Sequence, residues 1–211
     1  MLRFEQVKKQ YSSTTVLSVD SLLINKGLVL LQGENGSGKT TLLKIIAGLL
    51  PFEGNILFND TFSLKKQRLQ FIRQINYAEA EPIYPEFLTA KELVKLFCYA
   101  KKGNVQFIEN LLEQLHIIDV YNKPVSTYSS GMIKKLSLAL AFAGTPSWIL
   151  LDEPFITIDK NSVAAICQII NKKYSDDGVS FLITSHQNFN NENLSFTASL
   201  LVQDHTVKFA E

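Results

Sequence analysis

The stretch Gly33-Glu34-Asn35-Gly36-Ser37-Gly38-Lys39-Thr40, with Thr41 directly behind it, leaves this chain few ways to fold. An apolar run of strand character, Leu28-Val29-Leu30-Leu31, precedes it, and Thr41-Leu42-Leu43-Lys44-Ile45-Ile46-Ala47-Gly48 follows with helical spacing and a terminal glycine. A strand, a glycine-rich turn and a helix in that order form a phosphate-binding loop. The glycines allow backbone angles and a closeness of approach that a Cβ forbids, so successive N–H groups turn inward around an anion. The helix adds its unpaired N-terminal amides and positive dipole end. In this arrangement Lys39 reaches the outer phosphates as a point charge, the Thr40 hydroxyl ligates magnesium, and Thr41 lies near the inner phosphate. The coincidence of glycine spacing, Lys, Thr, strand and helix separates it from a β-to-α turn that binds nothing.

With 211 residues the chain holds one sizeable core and is too short for two complete nucleotide-binding units. Its net charge of +1 gives no global reason to expect nucleic acid, and the clusters Lys65-Lys66-Gln67-Arg68 and Lys134-Lys135 read as solvated helix faces. Cys98 and Cys167 lack CxxC spacing or a nearby His and read as small apolar groups in a reducing compartment. The start Met1-Leu2-Arg3-Phe4-Glu5 lacks the features of a secretory signal, and no apolar run approaches bilayer-spanning length. A cytoplasmic protein is expected, any membrane role coming through a partner.

Along the chain, Leu2 to Val7 and Val16 to Ile24 predict an antiparallel β layer beside the phosphate-loop strand. Tyr11, in a polar stretch between them, is either a platform for an adenine ring or a turn tyrosine. Asn55 to Phe58 and Ile75 to Ala78 read as short strands, with Ser63 capping a helix over Leu64 to Phe71. Thr89-Ala90-Lys91-Glu92 is a capping box, opening a helix through Leu93, Leu96 and Phe97, and Val105 to Leu115 supplies another. A mostly helical region therefore sits between the strands of an α/β core. The core resumes with the buried-strand patterns Trp148 to Leu151 and Val179 to Ile183, separated by the amphipathic Val163 to Ile170. Leu194 to Val202 and Thr206 to Phe209 are expected to close the chain as a hairpin.

Asp152 and Glu153 follow the strand Trp148 to Leu151, at the carboxyl end of a buried parallel strand, where ligands gather in open α/β sheets. Adjacent carboxylates there need partners, because ionised groups are costly to desolvate. A magnesium ion serves Asp152, and a water poised to attack the terminal phosphate serves Glu153; alone, the pair would read as an exposed acidic turn before Pro154. His186, just past Val179 to Ile183, reaches that phosphate and water if its strand neighbours the Asp152 strand.

Taken together, these motifs resemble the nucleotide-binding subunit of an ABC transporter over essentially the whole length. The resemblance implies a P-loop NTPase (RecA-like) α/β fold: a mixed-sheet core with an antiparallel β subdomain and an inserted helical subdomain. One ABC ATP-binding domain would span 1–211, with 1–85 and 146–211 as core and about 86–145 as the insertion. It implies ATP and Mg2+ as ligands, held by Gly33 to Thr41, with Thr40 and Asp152 on the metal and Lys39, Glu153 and His186 in catalysis. Tyr11 falls at the family's adenine-stacking position and Asp159 at its D-loop aspartate. The signature, LSGGQ in most members, is here Tyr128-Ser129-Ser130-Gly131-Met132. It keeps the serine and second glycine that face the terminal phosphate and is similar to signatures of drug, peptide and bacteriocin exporters. Ile75-Asn76-Tyr77-Ala78-Glu79-Ala80-Glu81-Pro82 aligns with the family's glutamine loop and puts Ala80 where the glutamine stands; either Glu79 or Glu81 substitutes, or turnover is slower or differently coupled.

The family mechanism implies two copies packed head to tail, each phosphate loop facing the other's Ser129, Ser130 and Gly131, with ATP bridging them and a homodimer sufficient, pairing with a second ABC subunit being the alternative. It also implies a transmembrane permease subunit, which places the protein peripherally on the inner face of the cell membrane. A groove lined by Tyr84, Phe87, Phe97 and Tyr99 is one reading of the permease contact; ordinary core aromatics are the other. The alternative function is a nucleotide-dependent dimerisation switch that hydrolyses weakly or not at all. It is favoured by Ala80 and the altered signature and opposed by Glu153 and His186.

Overall fold

The computed structural model describes residues 1–185 and 193–210. The chain begins with a long hairpin, β1 (Leu2–Tyr11) and β2 (Thr14–Ile24), and then enters β3 (Leu28–Gln32), the phosphate loop and α1 (Lys39–Ile46). Next come β4 (Glu53–Phe58), β5 (Phe62–Ser63), α2 (Arg68–Arg73) and β6 (Ile75–Ala78). The helical stretch comprises α3 (Ala90–Lys101), α4 (Val105–Gln114) and α5 (Ser130–Ala141). The chain then returns to β7 (Trp148–Leu151), α6 (Lys160–Asp177), β8 (Ser180–Ser185), β9 (Ala198–Gln203) and β10 (Thr206–Phe209).

Two sheets result. One is antiparallel in the order β2-β1-β4-β5; the other runs β10-β9-β3-β8-β7-β6 and is parallel except for the β10–β9 hairpin. Every residue of β7 and β8 is buried, as strands covered on both faces require. The sheet sits between two apolar clusters. Leu42, Ile45 and Ile46 of α1 join Phe4 and Ile56 of the antiparallel sheet on one side, and α3 to α6 supply the other. Since β8 lies between β3 and β7, the phosphate loop, Thr184 and Asp152 all emerge at the same edge of the sheet.

The Thr89–Glu92 capping box forms in both directions, the Thr89 N–H donating to Glu92 Oε2 (2.8 Å) and the Glu92 N–H to Thr89 Oγ1 (3.2 Å). At Ser63 the structure departs from the expected helix cap. Ser63 lies in β5, and α2 begins only at Arg68 with no side-chain cap. The hydroxyl instead donates to Asn55 Oδ1 (2.7 Å) and accepts the Lys66 N–H (3.2 Å), a local turn that displaces the helix start.

Lys134 and Lys135 also depart from expectation. Lys134 is 2% exposed and Lys135 is largely covered, because both ammonium groups are satisfied by fixed oxygens. The Lys65–Arg68 cluster is exposed as expected. Two of the four aromatics expected to line a groove, Tyr84 and Phe97, pack against the core, while Phe87 and Tyr99 stand in solvent. Both cysteines are buried, Cys98 in α3 and Cys167 in α6.

Candidate functional site

The phosphate loop is built around close approaches. A Cβ on Gly33 would lie 2.6 Å from Ser37 Oγ and 2.7 Å from the Val202 carbonyl, so the loop turns here only without a side chain. Gly38 caps α1 at φ 110°, a left-handed angle, and offers no side chain to the first helical amides. Those amides are thereby left to an external acceptor, with the helix dipole behind them. Lys39 is buried, and its Nζ donates to the carbonyls of Gly33 (2.8 Å) and Glu34 (3.0 Å). The ammonium is thus held at the rim of the cup formed by its own loop.

A cavity of about 160 Å³ opens in front of the loop, lined by Val16, Asn35, Gly36, Gly38, Lys39, Thr40, Thr41 and Glu153. The fold brings Glu153, more than a hundred residues away in sequence, into the same cavity as the loop. Glu153 also lines a second cavity of about 380 Å³, together with Ala80, Glu81, Ser130, Lys134 and Thr157. Glu153 thus borders both spaces, its backbone at a left-handed φ of 45°. Such an angle costs of order 1–3 kcal/mol in a non-glycine residue and persists where surroundings hold it.

Thr184 is part of what holds it. The Glu153 N–H donates to Thr184 Oγ1 (2.7 Å), and the same hydroxyl donates to Asp152 Oδ1 (2.7 Å). Tyr77 donates its phenol to Asp152 Oδ2 (3.2 Å); burial first, and the Asp152 charge second, hold that phenol protonated far above its usual range. Asp152 is fully buried and its two carboxylate oxygens are fixed by these donors. Neither Tyr77 nor Thr184 was assigned a role from sequence. Their only signal was a hydroxyl near the carboxyl end of a strand in the parallel sheet.

The signature residues lie elsewhere on the molecule. Ser129 caps α5, its hydroxyl accepting the Met132 N–H (3.3 Å). Ser130 lines the second cavity, and none of Ser129, Ser130 and Gly131 is among the residues lining the loop cavity. A Cβ on Gly131 would fall 2.8 Å from the Thr157 carbonyl, so close packing within the chain already requires a glycine there. Asp159 caps α6 by accepting from the Ser162 N–H and hydroxyl, and pairs with Lys135 at 2.6 Å. The Lys135 contact, followed by the Ser162 donors, holds its carboxyl well below the usual carboxylate range.

Tyr11 ends β1 about half exposed, one face of its ring covered by Lys9 Nζ 4.6 Å from the centroid. Glu79, one of the two candidates for the missing glutamine's role, pairs with Lys44 of α1 (3.3 Å), whereas Glu81 lines the second cavity beside Glu153. His186 lies outside the described residues; β8, which leads to it, pairs directly with the Asp152 strand β7.

Comparison with known proteins agrees with this geometry. The profile of the ABC transporter family matches residues 18–156. The chain is similar to an uncharacterised ABC transporter ATP-binding protein, YcbN, of Bacillus subtilis (32% identity, 84% of this chain, 59% of that protein). It is similar also to the cytochrome c biogenesis ATP-binding export protein CcmA of Reclinomonas americana (32%, 89% and 84%) and to the lantibiotic transport ATP-binding protein SrtF of Streptococcus pyogenes (29%, 88% and 80%). Among solved structures, an ATP-binding subunit of an ABC transporter superposes with a TM-score of 0.86 at 25% identity, covering 99% of this chain and 88% of that one. A dimeric cassette in a post-hydrolysis state with ADP and Pi shares the fold, with a TM-score of 0.81 at 21% identity over 99% of this chain and 97% of that one.

Proposed function

The chain belongs to the ABC transporter ATP-binding family, whose cassettes are ATPases, and on that premise we propose that it powers transport, in the export direction, through a separate transmembrane subunit. The observation that carries hydrolysis is the shared cavity, which Glu153 lines together with Lys39 and Thr40. Lys39 and the α1 amides bind and orient the triphosphate, and Glu153 holds and polarises the attacking water. The Thr40 hydroxyl and the buried, doubly hydrogen-bonded Asp152 carboxylate are hard oxygen donors that fit magnesium, which when bound neutralises phosphate charge. The resemblance assigns His186 to the terminal phosphate and the half-exposed Tyr11 to stacking on the base.

Two copies complete each site, the Ser129–Gly131 corner of one closing over the phosphate loop of the other. That corner's position outside the loop cavity of its own chain supports this reading. Among the described residues no helix is long and apolar enough to cross a membrane. The exposed Ile83, Phe87, Leu96 and Tyr99 are the apolar side chains this reading offers to the permease. The name of CcmA, an ATP-binding export protein, supports export.

Ala80 favours a second reading, a slow or silent switch, because alanine supplies neither a metal ligand nor a polar contact to the water. A magnesium-dependent ATPase assay decides between the two: turnover establishes the motor, and ATP-driven dimers without turnover establish the switch. Ala80→Gln, whose side chain enters the cavity shared with Glu153, is expected to raise kcat by about fivefold, the equivalent of one hydrogen bond of about 1 kcal/mol. An unchanged or lower kcat removes Ala80 as a cause of slow turnover. Thr184→Val, which deletes the hydroxyl shared by Asp152 and Glu153, is expected to lower kcat by about 10- to 100-fold, as loss of a supporting contact to a metal ligand does. A magnesium titration of the ATPase rate reads the accompanying loss of metal affinity.

A further inference from the structure

Lys134, in the second turn of α5, is a buried lysine that the site as described leaves without a task. Its Nζ donates to the carbonyls of Glu79 (2.7 Å), Ala80 (3.0 Å) and Asp152 (2.7 Å). An ammonium has three N–H donors, and all three are used. Burial lowers the pKa of the Lys134 ammonium to about 8, and the carboxylates of Asp152, Glu153, Glu81 and Glu79 around it only partly oppose that shift.

The three carbonyls belong to two strand ends. Glu79 and Ala80 follow β6, Asp152 follows β7, and these strands are parallel neighbours in register at Ala78 and Leu151. Asp152 immediately precedes Glu153, whose strained backbone must be held from outside, and Lys134 grips that turn from the side opposite Thr184's bond to the Glu153 N–H. Ala80 offers no polar side chain of its own, and its backbone carbonyl is tied to that of Asp152 through Lys134.

We propose that Lys134 is a positioning residue for hydrolysis: it clamps the Ala80 loop and the Asp152–Glu153 turn to α5, so that Ser129, Ser130 and Glu153 keep a fixed relation. The clamp rests on the reading of Glu153 as the residue that places water. It requires the donors of Lys134 and their directions, whereas a merely space-filling side chain would not.

Lys134→Met keeps length and removes every donor; Lys134→Arg keeps charge and donors. In the Met variant kcat is expected to fall about 10- to 100-fold while the affinity for a fluorescent ATP analogue with magnesium stays within about twofold, because the phosphate loop is untouched. Hydrogen exchange in the nucleotide-free protein is expected to rise at 79–82 and 152–156 and to remain unchanged in α1 and β3, and Arg is expected to restore most of kcat.

Wild-type turnover and exchange in the Met variant overturn the clamp. So does a loss of affinity, turnover and exchange protection across the whole chain together, which marks a merely structural role. Should the Met protein fail to fold, Lys134→Gln, with two donors, takes its place: turnover between wild type and background supports the clamp, and turnover equal to wild type overturns it. Because exchange is read without nucleotide, it tests the clamp apart from the role of Glu153, which falls separately if Glu153→Gln hydrolyses normally.

Discussion

Glu153→Gln is expected to bind ATP as tightly as the natural protein, to lose hydrolysis by on the order of 100-fold or more, and to accumulate as an ATP-bound dimer. The amide keeps the size and the backbone of a residue lining the loop cavity but no longer polarises a water. Binding survives because Lys39 and the α1 amides are unchanged. The dimer persists because the terminal phosphate that bridges two copies is not removed. Gel filtration with and without ATP, beside a phosphate-release assay, reads both effects. Unchanged turnover refutes the role of Glu153, and a monomer that holds ATP refutes the bridging role of the nucleotide.

Lys39→Ala is expected to weaken ATP binding by on the order of 100-fold, since a charge-assisted contact to phosphate contributes about 1.5–3 kcal/mol. A second cost arises inside the loop. The carbonyls of Gly33 and Glu34, which now accept from Lys39 Nζ, lose that donor, so the cup itself loosens. Calorimetric titration with magnesium-ATP measures the first effect and thermal unfolding the second. Wild-type affinity in this variant would remove Lys39 from the site.

The phosphate loop, the capping box and the two fully buried strands were legible in the sequence because each is written in consecutive residues. What remained hidden depends on residues that meet only after folding. Ser63 carries the same hydroxyl as a helix cap, and only the pairing of β5 with β4 commits it to a turn. Lys134 and Lys135 look like a solvated pair because nothing local announces that the carbonyl ends of β6 and β7 lie above one and Asp159 beside the other. Thr184 and Tyr77 are ordinary strand residues until β8 and β6 flank the Asp152 strand. The resemblance makes Gly131 a phosphate contact, and the structure adds an independent reason for a glycine there, the Thr157 carbonyl.

Asn76, in the middle of β6, donates its side-chain amide to the carbonyls of both Ala141 and Ala143 at the far end of α5 (2.7 and 2.8 Å). With Lys134 near the other end, that helix is bolted lengthwise to the sheet, although its sequence places it in the helical stretch. Lys101 at the end of α3 adds a further bolt, its Nζ donating to the carbonyls of Ile72 and Ile75 (2.8 and 2.7 Å), so a swivel of the helical stretch against the strands would have to break bonds at both α3 and α5.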